Sequence, residues 1–298
     1  MKLRELLADI DVLETTADLE LDIDSVAYDS RKVTPGSLFV AITGFAADGN
    51  RFIPMAMEKG AAVIVTAVEP QIDAPYVLVD SDRKALARIG ANFFGHPSKA
   101  MTMIGVTGTN GKTSTTLLLK QVLEKVLGAK VGLIGTMANM VGDEEIPTER
   151  TTPESFDLQA LFGRMRDAGC SHVVMEVSSH AVTLERIGGT HFDVAAFTNL
   201  TEDHLDFHKT MDAYCDAKAE LFHRCDKAVV NADDSYAKVN GQDAVVLSIF
   251  KSSTAGTNAV SATCIEAFEN LETEDAGTRM DILMDQGDYI DIIVGSIF

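Results

Sequence analysis

The run Gly111-Lys112-Thr113, within "VTGTNGKTSTT" at 106–116, combines residue types that together can bind phosphate. At a strand-to-helix turn, backbone N–H groups and a helix N-terminus cradle phosphates, a lysine reaches the terminal phosphates, and a threonine hydroxyl ligates Mg2+. An apolar run, "MTMIG", precedes the turn and a helix-like run, "LLLKQVLEKVL", follows it. The stretch departs from strict G-x4-G-K-[ST], because Val106 stands five before Gly111 and glycines lie instead at Gly105 and Gly108. A glycine turn that merely ends in Lys-Thr is the alternative; the strand-helix context favours a triphosphate site.

Other candidates are weaker taken singly. Glu176 closes the apolar run "HVVME", where a carboxylate could ligate Mg2+ directly or through water, or be a partly exposed strand-end acid. "TNLTEDHLDFH" (198–208) offers Asp203, His204 and His208, and the i, i+4 histidines would share one helix face; a solvated turn fits equally. His204, nearer the strand end, is the stronger of the pair. Lys218 lies in the helical pattern "DAYCDAKAELFH", where local pattern makes it a solvated surface lysine. In "RTTPESFDLQALF" (150–162) Thr152 is expected at a helix cap and Pro153 at the first helical position, which accounts for the hydroxyls without a ligand. "YDSRKVTPGSLFVAITGFAADGNRF" carries Ser30, Arg31 and Asp48 with no evident catalytic set, and reads either as a loop-rich domain edge or as a groove for a polar ligand.

These residues need elements to hold them. From about residue 36 the pattern alternates through "SLFVAI", "NRFIPMAMEKG", "AAVIVTA", "PYVLVD" and "SDRKALARIGANFF", a small α/β unit ending near "GHPSKAM", the candidate linker. A second alternation follows: strand "MTMIGVTG", a helix from Lys112, strand "KVGLIGT", a helix from Pro153, strands "HVVMEVSS" and "FDVAAFTNL", a helix around "MDAYCDAKAELFHR", then strands "KAVVNADD" and "AVVLSIF". The expected fold class is α/β, a small N-terminal domain over 1–97 and a central P-loop domain over 98–298 with a mainly parallel sheet covered on both faces. Ligands then belong at the carboxyl ends of the strands. The tail from Ser261 is less regular, although "RMDILMDQGDYIDIIV" is strand-like, and "GSIF" follows an apolar run without a cap, which reads as a chain cut short.

Composition narrows the partners. With 45 acidic against 25 basic residues and a formal charge of -20, the chain would repel nucleic acid and anionic membrane surfaces, so an anionic ligand must be held by local amides, a few cations and metal ions. The four cysteines lack CxxC spacing and read as thiols rather than a zinc or disulfide framework. The acidic N-terminus is no signal peptide and no run is long enough to span a membrane, so a cytoplasmic location is expected.

Taken together, "DSRKVTPGSLFVAITGFAADGNRFIPMAMEKGAAVIV", "GVTGTNGKTS", "TTPES", "MEVSSHA", "FTNLTEDHLDFH", "YCDAKAELF" and "VVNADD" resemble, in order and spacing, the Mur ligase family of peptidoglycan synthesis, over essentially the whole chain. "TTPES", "VSSHA" and "DHLDFH" look like the branch that adds the third amino acid of the peptide stem. The branch acting next in the pathway also suits the first block, and folylpolyglutamate synthetase shares only the ATPase core.

The resemblance implies an ATP-dependent ligase. ATP, held by Gly108, Thr109, Asn110, Gly111, Lys112, Thr113 and Ser114 with Asn231 near the adenine or ribose, would phosphorylate a carboxylate of UDP-MurNAc-L-Ala-D-Glu; an amine then displaces the phosphate. Lys112 would act electrostatically. Thr113, Glu176 and His204 match magnesium positions, and Lys218 matches a lysine that CO2 carbamylates into a further metal ligand, which reverses its surface reading. Lys112, Lys218 and His204 are thus the residues implied in catalysis. Thr151, Thr152, Ser178 and Arg186 match the muramoyl-peptide site, and Tyr28, Ser30, Phe45, Ala46 and Ala47 the uridine-nucleotide site. Leu184 stands where some relatives have a substrate-binding Gln, which puts that contact in doubt. The family also has a C-terminal domain that binds the incoming amino acid and is expected to be absent here, so this chain alone is expected to be inactive. The quoted blocks look like those of relatives using meso-diaminopimelate; L-lysine stays open, as does a non-catalytic nucleotide-binding module.

Overall fold

Short, β-rich apolar runs bounded by turns build two large sheets, beside a two-stranded antiparallel pair of Lys238–Val239 with Gln242–Asp243. In the computed structural model the described residues are 1–44, 48–148, 150–231 and 234, with the backbone of 238–239 and 242–243. The expected strands "AVVLSIF" and "RMDILMDQGDYIDIIV", Cys264 and the candidate residues Phe45, Ala46 and Ala47 lie outside them.

The first sheet has five strands in the order β1-β5-β4-β3-β2: β1 (Val12–Thr15), β2 (Ser25–Ala27), β3 (Ser37–Val40), β4 (Val63–Thr66) and β5 (Tyr76–Val79). Only β1 runs antiparallel. Strand alternation splits each apolar run between two cores. Leu38, Val40, Val63 and Val65 pack with Leu3 and Leu6 of α1 (Leu3–Leu6) and with Leu86 and Ile89 of α3 (Asp82–Phe93). Phe39, Ala41 and Ile64 pack with Ile53 and Ala56 of α2 (Ile53–Glu58) on the other face. The sequence reading began this unit near residue 36, but residues 1–35 already supply α1, β1 and β2. These elements are too short for either periodicity to register. The stretch expected as a linker contains a 3-10 turn, Pro97–Ala100, with Pro97 buried.

The second sheet has the order β12-β11-β6-β10-β7-β8-β9. Its parallel strands are β6 (Thr102–Thr107), β7 (Val131–Ile134), β10 (His172–Glu176), β11 (Phe192–Phe197) and β12 (Cys225–Val230). β8 (Asn139–Val141) and β9 (Glu144–Ile146), absent from the sequence reading, extend the β7 side as an antiparallel hairpin. Val106, Val131, Leu133 and Val174 pack against Leu117, Leu119 and Leu123 of α4 (Lys112–Leu127). The chain leaves β6 toward β7 and β10, then crosses to β11 on its other side, so β6 marks a topological switch point.

The helix expected from Pro153 is α5 (Ser155–Asp167), and its cap is Glu154 rather than Thr152. Phe156 near its start packs on Phe93 and Phe94, and the absent side chain of Gly90 lets α5 approach α3. The remaining helices are α6 (Ser179–Thr183), α7 (Leu205–His208) and α8 (Met211–Ala219).

Candidate functional site

The glycine-rich turn links β6 to α4 at the carboxyl end of the sheet. Two glycines make it possible. Gly111 has φ +85 at the α4 cap, and Gly108 has φ +142 with no room for a side chain: a Cβ there would lie 1.9 Å from Thr198 Oγ1. The turn is lashed to the loop after β11. Thr109 N donates to Asn199 O at 2.8 Å, Asn110 N to Asn199 Oδ1 at 2.9 Å, and Thr198 Oγ1 to Asn110 O at 2.7 Å. The first-turn N–H groups of α4 have no intrahelical acceptor, and the exposed Ser114 lies among them.

Two lysines meet at this turn. Lys112 Nζ donates to Gly108 O at 2.7 Å and Thr109 O at 2.8 Å, folding back over its own loop. Lys218 Nζ, from α8, donates to the same Gly108 O at 2.9 Å and sits 4.4 Å from the Tyr214 ring centroid. At 2% exposed, Lys218 is no surface lysine, which corrects its local-pattern reading. A nine-residue helix with one buried face placed it inward, and a single Lys in such a pattern carries no sign of which face it takes. Burial, then repulsion from Lys112, pushes the Lys218 ammonium down to about 7. Burial also lowers Lys112, with Glu176 and Asp203 pulling the other way.

Glu176, at the end of β10 and 1% exposed, is the carboxylate of the site. Its Oε2 accepts from Thr113 Oγ1 at 3.0 Å and Thr136 Oγ1 at 3.2 Å, and its Oε1 from Thr136 N at 2.8 Å. Sequence reasoning missed Thr136, although it directly follows strand β7 at the same sheet end. Gly135 beside it leaves space that a Cβ would take from Glu176 Oε1, at 2.4 Å.

The two histidines part company. His204 has φ 53, precedes the four-residue α7 and is half exposed, with its ring 6.1 Å from that of Tyr214. His208 is buried, its Nε2 2.9 Å from Ser179 Oγ, so the i, i+4 pair does not act as a unit toward the loop. His180 lies between them, with ring centroids 4.9 Å from His204 and 5.6 Å from His208. Burial lowers His180 and His208. Among the described residues no group of three or more His, Cys, Asp or Glu is arranged to hold a metal ion.

The residues matched to the muramoyl-peptide site gather near the Glu176 end of β10. Thr151 Oγ1 lies 3.0 Å from Thr136 Oγ1. Thr152 Oγ1 donates to Glu176 O at 2.9 Å and accepts from Ser178 N at 3.3 Å, so its hydroxyl braces two loops and does not cap α5. Ser178 Oγ caps α6, and Arg186 Nη1 donates to Thr152 O at 3.3 Å. Asn231 extends from β12 and bonds Thr198 O at 2.8 Å. Tyr28 follows β2 and donates its hydroxyl to Asp157 Oδ2 on α5, with burial and Asp157 both raising it. Ser30 is buried with its hydroxyl 3.4 Å from Met55 Sδ, turned toward α2. A cleft of about 730 Å³ lined by both basic and acidic side chains, among them Lys84, Arg88, Arg224, Asp80, Glu185 and Asp193, lies instead near the amino ends of β6 and β11, where an open α/β sheet does not place its ligand.

A parallel sheet with a glycine loop, lysine and threonine at its switch point, and a buried carboxylate on the next strand, defines a phosphate-binding α/β protein of the P-loop kind. Two family models match: "Mur ligase middle domain" over residues 106–294 and "Mur ligase family, catalytic domain" over 22–94. The chain belongs to the Mur ligase family. It is 47% identical over 246 residues to the UDP-N-acetylmuramoyl-L-alanyl-D-glutamate–2,6-diaminopimelate ligase of Alkaliphilus metalliredigens, covering 82% of this chain and 50% of that one. It is 43% identical over 288 residues to ligase 1 of the same name from Clostridium acetobutylicum, covering 95% and 57%. A solved structure of a ligase of that name superposes with TM-score 0.67 at 27% identity, covering 79% of this chain and 48% of that one. A MurF from Acinetobacter baumannii shares the fold, with TM-score 0.56 at 18% identity. The chain thus spans about half the length of the curated relatives it matches.

Proposed function

We propose that this chain carries the UDP-sugar and ATP sites of a MurE-type ligase, which joins an amino acid, meso-diaminopimelate, to UDP-MurNAc-L-Ala-D-Glu. Residues 1–97 take the uridine nucleotide, and residues 98–298 take ATP, within a cytoplasmic enzyme of peptidoglycan synthesis. What carries the reading is the meeting of Lys112, Thr113, Glu176 and Lys218 around the Gly108 turn, in a chain 47% identical to a diaminopimelate ligase.

The reaction forms an amide in two steps. A substrate carboxylate oxygen bonds to the γ-phosphorus of ATP as the bond to the β,γ-bridging oxygen breaks, leaving ADP and an acyl phosphate. The amine nitrogen of the amino acid then bonds to the acyl carbon, phosphate leaves, and the nitrogen gives up a proton. The α4 amides and Lys112 hold the phosphates. Lys112 exchanges its two loop carbonyls for phosphoryl oxygens, at little cost because both are weak neutral acceptors.

The donor set suits magnesium. Thr113 Oγ1 and Glu176 Oε2 offer oxygens 3.0 Å apart, and oxygen donors are what a hard cation takes. Mg2+ held by them, with His204 as a further ligand that the family resemblance implies, would neutralise charge on the phosphoryl oxygens. Lys218 suits a metal only as a carbamate; with its pKa near 7 much of it is the free amine that CO2 requires. Thr151, Thr152, Ser178 and Arg186 are assigned to the muramoyl peptide, and Tyr28, Ser30, Phe45, Ala46 and Ala47 to the uridine nucleotide, by resemblance to the family.

Calorimetric titration tests this. Mg2+–ATP and UDP-MurNAc-L-Ala-D-Glu should each bind saturably, and Lys112→Ala should weaken only the nucleotide, by about 100-fold. Absence of binding by the UDP-sugar peptide would sink the proposal.

A further inference from the structure

Three arginines from separate parts of the chain converge on one carboxylate. Glu154, the α5 cap, is 7% exposed. Arg83 Nη1 lies 3.6 Å from its Oε1, and Arg150 Nη1 and Arg186 Nε lie 3.5 and 3.4 Å from its Oε2. Arg83 belongs to α3 on the first sheet, Arg150 to the loop before α5, and Arg186 to the turn after α6. Among the described residues, three guanidinium groups share this one carboxylate. The neighbouring Asp157, which accepts from Tyr28, is in no ion pair with these arginines.

The contacts are also incomplete as hydrogen bonds. Arg83 Nη1 and Arg186 Nε are buried without an acceptor among the described residues, held at ion-pair distance from Glu154. Arg83 Nη2 reaches Thr43 O at 3.4 Å and Arg186 Nη1 reaches Thr152 O at 3.3 Å. Burial and the charges of Arg150 and Arg83 all disfavour the Arg186 cation; Glu154 opposes them. Two largely buried cations, Arg83 and Arg186, with unmet donors are costly unless an anion completes them. Thr152, which Arg186 touches, in turn braces the backbone of Glu176, so the cluster adjoins the phosphate-binding turn.

We infer that Glu154 is a positioning residue: shared among Arg83, Arg150 and Arg186, it gathers them into a cationic corner that receives an oxyanion of the substrate. The inference rests on the substrate proposed above, and the oxyanion is either a peptide carboxylate or the nucleotide diphosphate. Positioning and simple charge make opposite forecasts. Removing a negative charge alone would tighten an anion, whereas scattering the arginines would weaken it.

The test is titration of the unaltered chain, Glu154→Gln, Glu154→Asp and Arg83→Met with UDP-MurNAc-L-Ala-D-Glu, with UDP and with Mg2+–ATP. Glu154→Gln should weaken the UDP-sugar peptide about 10-fold, Glu154→Asp should recover part of the loss, and Mg2+–ATP should bind as before. Loss of UDP binding in parallel assigns the corner to the diphosphate; loss confined to the peptide form assigns it to a carboxylate. Unchanged or tighter binding by Glu154→Gln, or equal loss of Mg2+–ATP, overturns the inference. Should Glu154→Gln fail to fold, Arg83→Met decides, with a weakening of about threefold expected and no weakening fatal. If the unaltered chain itself ignores the UDP-sugar peptide, the substrate reading and this inference fall together; if it binds and the variants bind equally, only the inference falls.

Discussion

The glycine turn and the arginine corner both suit anions, yet they are built by opposite means. At the turn, backbone does the holding: Gly108 and Gly111 set the path, amides of Thr109 and Asn110 tie it to Asn199, and two lysines bond carbonyl oxygens. At the corner, side chains from three elements hold one another through charge, at 3.4 to 3.6 Å. Backbone geometry resists salt and tolerates side-chain change elsewhere, but a single added carbon breaks it. Ion pairs tolerate changes of size and respond to screening.

The largest break should come from Gly108→Ala. Its Cβ would meet Thr198 Oγ1 at 1.9 Å and the Asn199 backbone at 3.1 Å, so urea denaturation should show a loss of about 3 kcal/mol or more. A variant as stable as the parent would mean that the turn is not locked by its backbone.

Lys218→Met should act in the other direction. The Lys218 ammonium is pushed down to about 7 in the folded chain, while the unfolded chain keeps the ordinary value of 10.5. Between those values the unfolded state binds more protons, so stability rises with pH from about 7 and levels off near 10.5. The methionine variant should be about 2 kcal/mol more stable at neutral pH and show a shallower rise, although it has lost the amine. Unfolding midpoints across that pH window check both; an unaltered slope would remove Lys218 as its source.

On the other side of the comparison the effects should shrink. Tyr28→Phe, which leaves Asp157 without that donor, should cost about 1 kcal/mol in denaturant melts. Arg150→Ala should change stability by only about 0 to 0.5 kcal/mol, because that side chain is 53% exposed. A loss well beyond that would show that the corner is more rigidly coupled than its distances suggest.

Legibility in the sequence followed the same division. The turn at Gly108 to Ser114 could be read because its chemistry is contiguous and its flanking runs announce a strand and a helix. Glu176 could be placed because an apolar run points to its own end. Thr136, Tyr214 and the Glu154 cluster could not, since each acquires its role from a partner more than a dozen residues away. Lys218 illustrates the limit: local pattern put it in solvent, and only resemblance to a family pointed inward. The Thr152 cap failed for a related reason, since its hydroxyl found a tertiary acceptor in the Glu176 carbonyl and left the capping position to Glu154.

The hairpin of β8 and β9 bears on a different property of the molecule. A parallel sheet ending at β7 would offer its backbone donors and acceptors to any extended chain that came by. The hairpin covers that rim, and its outermost strand is three residues long, with Glu144, paired to Arg164, and Glu145 both exposed. A border this short, with charged side chains along it, offers little to pair with, so this side of the sheet is protected against fibrillar stacking between molecules.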